Sequence, residues 1–303
     1  MTEQPPPPFA GVKARQTAPK NGVAILGASE ASPYKPGERS HAAGAPAAIR
    51  AASLKFGTRH TQFDFDLGRA MVTSDADTER LADLGDIPTD PADPEGNRRR
   101  ITEAVRAVLE AGAAPLVLGG DDSVPIPVFQ AFEGHGPLTM VQVDAHVDWG
   151  DVIQANPFGY GSPMRRASEM PWFNGMVQVG MRGLGSGTPD QLVDARAWGS
   201  HLITARDFRR RGVEAALELI PPGADCILSI DCDGLDPSVL PAVNMPTPGG
   251  LDYGELAELM QGVAARGRIR GCCLVELVPE RDRDGMSALL AARIALTAIG
   301  LMM

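Results

Sequence analysis

The chain has 303 residues, 44% of them hydrophobic, and its 38 acidic residues outnumber 28 basic ones for a net charge of −10. No apolar run approaches the roughly 18 residues of a membrane span, and the acidic balance argues against nucleic acid or an anionic membrane as partner. Glycine (34) and proline (26) exceed their usual share but stay below the level of disordered or collagen-like chains.

Residues 1–20 are Pro-rich and lack periodicity, so they read as an N-terminal arm. They show no basic-then-apolar signal pattern, and a cytoplasmic location is expected. From residue 21 to 303, apolar runs alternate with helical patterns and no linker or repeat divides them. Strands are expected over 23–27, 115–119, 138–143, 176–179, 226–230 and 271–277; their β-branched, continuously apolar character suits a sheet buried on both faces. Helices are expected over 99–113, 189–198, 212–220, 252–266 and 285–299. The first of these sets Ile101, Ala104, Val105, Val108 and Leu109 on one stripe. The alternation predicts a single α/β domain: a three-layer α-β-α sandwich around a mainly parallel sheet. Cys226, Cys232, Cys272 and Cys273 sit inside apolar runs without a Cys-x-x-Cys pattern, and read as reduced core residues.

Polar clusters fall at the carboxyl ends of four apolar runs: residues 119–123, 144–148 and 229–237, and Glu276. In open parallel sheets, ligands bind beyond these strand ends. Asp144, His146 and Asp148 are spaced i, i+2, i+4, which on an extended chain points all three to one side; Asp231 and Asp233 repeat the spacing. A carboxylate-rich set with one imidazole suits a hard or borderline divalent cation such as Mn²⁺. So many carboxylates share a small volume only if cations neutralise them, and two ions bridged by water or hydroxide are the natural arrangement. Loop aspartates that merely cap helices would explain any one of them, but not the joint pattern.

These residues carry a resemblance. GGDDS (119–123), VDAHVD (143–148), SIDCDGLDPSVLPAVNMPTPGG (229–250) and VELVP (275–279) resemble the successive motifs of the ureohydrolases, the family of arginase and agmatinase. PGERSHAAGAPAAIR (36–50), LADLGD (81–86), SPMRRA (162–167), VGMRG (179–183) and DGMSALLAARIAL (284–296) extend it, in order, from about residue 20 to the end; SPMRRA and VELVP place it nearer agmatinase. The resemblance implies an arginase-like fold and a binuclear hydrolase that releases urea and an amine from a small cationic guanidino compound: agmatine, a guanidino acid, guanidine or a biguanide. It further implies that Asp144 and Asp231 bridge two metal ions, that His146 and Asp233 complete one and Asp148 and residue 122 the other. Asp148 would also carry a proton to the leaving amine, and Glu276 would grip the guanidinium. A homo-oligomer, trimer or hexamer, is implied in the same way.

Two positions depart from the family pattern. Asp122 stands where a histidine is usual, which makes the metal shell one charge more negative and keeps nickel beside manganese as a candidate. Tyr160 stands where many relatives carry a histidine; a phenol, with its ordinary pKa of about 10, is a poor acid near neutrality, so Tyr160 is expected to line the pocket. The departures motivate a second reading, a catalytically silent paralogue serving as a structural subunit of a hetero-oligomer. A zinc deacetylase of the same fold is a third reading, disfavoured by the paired aspartate motifs. His41, His60, His135 and His201 lie outside the acidic motifs, and of these His41 is favoured for a role through its Arg39-Ser-His loop. Residues 183–187 read as a substrate-lining turn rather than a phosphate loop, since no lysine follows. Residues 98–100 and 209–211 read as solvated helix starts.

Overall fold

Among the described residues ten strands follow one another: β1 (Val23–Ala28), β2 (Phe63–Asp64), β3 (Arg69–Ala70), β4 (Leu81–Asp86), β5 (Ala114–Gly119), β6 (Leu138–Val143), β7 (Phe173–Met181), β8 (Ser200–Thr204), β9 (Asp225–Asp231) and β10 (Arg268–Val275). The structure, a computed structural model, describes residues 7–303. Eight strands form one sheet in the order β4-β1-β5-β10-β9-β6-β7-β8, and every pairing within it is parallel. β2 and β3 make a separate antiparallel pair.

Alternation along the strands builds a core on each face. Val23 and Ile25 join Leu116, Leu118, Val141, Leu228 and Leu274 against helices Ala45–Ser53, Tyr253–Arg266 and Met286–Met302. Ala24 and Leu26 join Val117, Met140, Ile227 and Cys273 against helices Pro94–Glu110, Pro125–Ala131 and Pro163–Ser168. This is the expected three-layer sandwich, and the near-continuous apolar strands are what burial on both faces demands. All four cysteines are buried and free.

Several boundaries differ from the sequence reading for local reasons. The helix expected from residue 99 begins at Pro94, because the Asp93 side chain accepts the Gly96 N–H and proline is preorganised for the first turn. The helix expected over 212–220 is broken: Gly212, at φ 76°, ends helix Ala205–Arg211, and a single turn, Glu214–Leu217, follows. Arg209, Arg210 and Arg211 therefore occupy a helix end rather than a start, where cations complement the dipole. Arg98 is not a free solvated charge either: its guanidinium lies 4.2 Å over the Phe158 ring and donates to Ser32 Oγ at 2.7 Å. The edge strands β4 and β8 escaped the apolar-run criterion because polar residues interrupt them, among them the buried Asp83 in β4 and the exposed His201 in β8.

Part of the arm expected over residues 1–20 lies at 1–6, outside the described residues. Residues further along are packed down. Phe9 and Ala10 are buried, the Phe9 N–H donates to Asp83 Oδ2 at 2.8 Å, and that carboxylate also holds the buried Arg50.

The sheet fixes the level at which its strand ends meet. Val275 is in register with Asp231, Leu274 with Leu118, and Val143 with Ile230. Beyond β5, the Gly120 N–H donates to Ala28 O at 2.7 Å and its carbonyl accepts the Glu276 N–H at 2.8 Å. A Cβ on Gly120 would lie 1.7 Å from the Ser29 carbonyl oxygen, a backbone atom with no freedom to withdraw. Gly120→Ala is therefore expected to lower unfolding free energy by about 2 kcal/mol or more, the scale of core overpacking. Chemical denaturation reads the loss; a midpoint equal to that of the parent would contradict this account of the turn.

Candidate metal centre and substrate pocket

The four strands that carry the acidic clusters, β5, β10, β9 and β6, are neighbours in the middle of the sheet. Their carboxyl ends bring Asp122, Glu276, Asp231, Asp233, Asp144, His146 and Asp148 to one cavity of about 410 Å³, whose wall includes all of these except the buried Asp144.

Two donor triads share Asp144. Asp144, His146 and Asp233 offer ligand atoms within 4.8 Å of one another, and so do Asp122, Asp144 and Asp231. Asp148 stands outside both triads but is tied to them: Gln142 Nε2 donates to Asp148 Oδ2 at 2.7 Å and to Asp144 Oδ2 at 2.8 Å. Gln142 is oriented in turn by Gln178, whose Nε2 donates to its Oε1 at 2.6 Å, and Gln178 accepts from Ser200 Oγ at 2.7 Å. This amide relay across β6, β7 and β8 was not singled out from the sequence. Its signal is a glutamine inside each of two otherwise apolar strands, since a buried amide needs partners.

Local backbone geometry does more here than strand periodicity. Residues 144–148 bend rather than extend, so the i, i+2, i+4 argument gives the right convergence for the wrong reason. Asp144 Oδ1 takes the His146 N–H at 2.6 Å, and Asp231 Oδ1 takes the Asp233 N–H at 2.7 Å. Each first aspartate thus folds the chain back onto itself in an Asx-type turn. Asp148 and Glu276 hold φ of 49° and 66°, a left-handed conformation unfavourable for side-chain-bearing residues. Strain of this kind gathers at functional sites.

The electrostatics call for a cation. Burial, and then the neighbouring carboxylates, hold Asp122, Asp144 and Asp231 well above the usual carboxylate range; burial raises Asp148 as well, against hydrogen bonds from Asp144 and Gln142 that lower it. His146 is held in its charged form. Although burial disfavours its charged form, its Nδ1 lies 3.2 Å from both Asp144 Oδ1 and Asp233 Oδ2, and its pKa rises to about 11. Asp122 Oδ2 is buried without a hydrogen-bond partner. A buried, unsatisfied oxygen inside a carboxylate cluster is what a metal-ligand position requires, and the oxygen-rich donor set with one imidazole fits divalent ions.

Opposite the triads, Glu276 Oε1 accepts the Asp122 N–H at 3.0 Å and Glu276 Oε2 pairs with His41 Nε2 at 2.6 Å. His41 presents its ring edge to Tyr160, with centroids 5.4 Å apart, and Tyr160 packs on Tyr34 at 4.2 Å. Tyr160 lines the cavity as expected, together with the turn at Gly185, Ser186 and Gly187. Trp149, Ile153, Asn244 and Met245 also line it, none of them individually singled out from the sequence. His60 and His201 are elsewhere, in a different cavity and on the edge strand β8, and His135 packs near Phe132. No helix among the described residues is long and apolar enough to cross a membrane.

Comparison with known proteins agrees with this geometry. The sequence profile of the arginase family matches residues 21–300. The chain is 36% identical to guanidinopropionase from Pseudomonas aeruginosa over 71% of its own length and 69% of the relative's. It is 33% identical to the mitochondrial guanidino acid hydrolase of Homo sapiens over 71% of its own length and 62% of the relative's. The solved structure of proclavaminate amidinohydrolase from Streptomyces clavuligerus superposes with a TM-score of 0.84 at 29% identity, covering 99% of this chain and 97% of that one.

Protons and cations compete for this cluster. Carboxylates with raised native pKa hold protons that the unfolded chain gives up above about pH 4, so the metal-free fold loses stability as pH climbs through the raised values. A cation that displaces those protons should stabilise more at higher pH. Millimolar Mn²⁺ is expected to raise Tm more at about pH 8 than at about pH 5.5 by calorimetry, with protons released on loading; equal shifts at both would contradict the reading.

Proposed function

The chain belongs to the arginase family, and from that membership we propose that it hydrolyses a small guanidino compound to urea and an amine with two divalent cations. Enzymes of this family work with a binuclear metal centre, and the observation that carries the reading is the pair of buried donor triads hinged on Asp144. Asp144, His146 and Asp233 would hold one ion; Asp122, Asp144 and Asp231 would hold the other, with Asp148 beside them. The donor set favours Mn²⁺, with Ni²⁺ as the alternative. A homo-oligomer, trimer or hexamer, in the cytoplasm accompanies the proposal.

When bound, the ions supply Lewis-acid polarisation and lower the pKa of water. The protein's own groups do the rest. Glu276 receives the guanidinium: each of its oxygens already accepts one N–H, from Asp122 or His41, and keeps a lone pair for a charge-assisted bond to the substrate. That contact sets the guanidinium carbon toward the aspartates. Water adds to this carbon, the bond from carbon to the substituted nitrogen breaks, and Asp148, oriented by Gln142, passes the proton from water to the departing amine. Trp149, Ile153 and Met245 would face the substituent. The reading of a silent structural subunit gains nothing from the geometry, since Asp122 turns a buried oxygen into the cluster.

Elemental analysis and urea release test this together. The parent chain should carry about two ions and liberate urea from at least one compound in a panel of guanidines, guanidino acids, agmatine and biguanides. Asp122→Ala should retain about one ion and Asp122→His about two. Asp148→Asn should keep its metal but lose about 10²- to 10⁴-fold in kcat, the span of a proton-transferring group. A metal-loaded parent that releases no urea from the whole panel would sink the proposal.

A further inference from the structure

Among the described histidines outside the acidic clusters, His41 is the one that reaches the site, and it does so through the carboxylate assigned to the guanidinium. We infer that His41 is the positioning residue of Glu276: its ring N–H fixes one carboxylate oxygen, and its charge state decides whether the pair offers the substrate a net negative charge. The inference rests on the proposed function and deepens it.

Three contacts fix the imidazole. Its loop is anchored where the Ser40 N–H donates to the buried Glu30 Oε2 at 2.7 Å, and the Ala42 N–H returns to Ser40 Oγ at 3.2 Å. Its face is set by the edge-on contact with Tyr160, at an interplanar angle of 87°. Its Nε2 reaches Glu276 Oε2 at 2.6 Å, while Oε1 is held by the Asp122 N–H at 3.0 Å. Glu276 is thus gripped at both oxygens on a backbone already held at φ 66°. A histidine that only filled the core would be sealed away, whereas the His41 side chain keeps 25% of its surface exposed.

The charge argument follows from the neighbours. Glu276 and Asp121 face His41 and favour the imidazolium, Arg281 opposes it, and the Tyr160 phenol is neutral near pH 7. Burial disfavours the charged ring most strongly of any single influence, but the hydrogen bond to Glu276 and the charges of Glu276 and Asp121 together outweigh it, and His41 titrates above its ordinary value. A neutral His41 donates to Glu276 and leaves the carboxylate its charge for the guanidinium. A protonated His41 makes the same bond but cancels that charge. Affinity for a guanidinium should therefore rise as pH climbs through the His41 titration.

Two variants separate these roles. His41→Gln keeps an N–H donor that does not titrate; His41→Phe keeps a ring and removes the donor. Metal-loaded protein is titrated calorimetrically with methylguanidine from about pH 6 to 9, alongside metal content and steady-state urea release from the best substrate of the parent. His41→Phe should weaken methylguanidine about tenfold, with KM rising in parallel and kcat changing less, and His41→Gln should recover affinity to within about threefold. The rise of affinity with pH should be steeper in the parent than in His41→Gln; ligand protonation acts on both alike, so the difference isolates His41. All three proteins should hold the same metal content. Parental affinity in His41→Phe, or an unchanged pH slope in His41→Gln, would overturn the inference while leaving the hydrolase reading intact. A parent that neither binds methylguanidine nor releases urea would remove that reading, and the inference with it.

Discussion

Five aspartates crowd one end of a buried parallel sheet, and carboxylates in that setting cannot all ionise without a counter-charge. The protein supplies part of the compensation itself. Backbone N–H groups of His146 and Asp233 turn onto Asp144 and Asp231, Gln142 bridges Asp144 and Asp148, and His146 lies between Asp144 and Asp233. What it does not supply is a partner for Asp122 Oδ2. The deficit lies in the triad of Asp122, Asp144 and Asp231, so a cation there would satisfy both the charge and the open oxygen.

The fold serves that constraint by holding strand ends level. Four adjacent parallel strands in fixed register deliver their following residues to one height, and glycine at 120 and 234 allows backbones to approach where a Cβ would clash with Ser29 O or Asp144 N. The loops over the site are pinned rather than free. Asn156 donates to Ser32 O at 3.1 Å, Tyr34 Oη accepts the Gly161 N–H at 3.1 Å, and Arg98 clamps Phe158. The wall that carries His41 and Tyr160 is therefore built against the carboxylate end as one unit, which is what orientation of a planar guanidinium needs.

Much of this was legible in the sequence because the informative signals were local. Continuously apolar runs ending in Asp-rich turns marked the four central strands, and the motifs around Asp144, Asp231 and Glu276 marked the site. The unread parts depend on contacts between distant segments. His41 and Glu276 are 235 residues apart, and nothing in the 36–50 stretch says which side of the sheet its histidine will face. Gln142 and Gln178 become partners only once β6 and β7 pair in register. Edge strands β4 and β8, and the helix start at Pro94, were obscured because interspersed polar residues and capping residues dilute the apolar period. The convergence of Asp144, His146 and Asp148 was expected from an extended chain and arises instead from a bend at Ala145 and His146 followed by a positive φ at Asp148.

The account stands on two cations held between these aspartates, and anomalous diffraction from crystals of the metal-loaded protein, collected at the edge of the bound metal, addresses it most directly. The prediction is two peaks flanking Asp144, one against His146 and Asp233 and one against Asp122 and Asp231. A single peak with Asp122 turned away, or none, would contradict it.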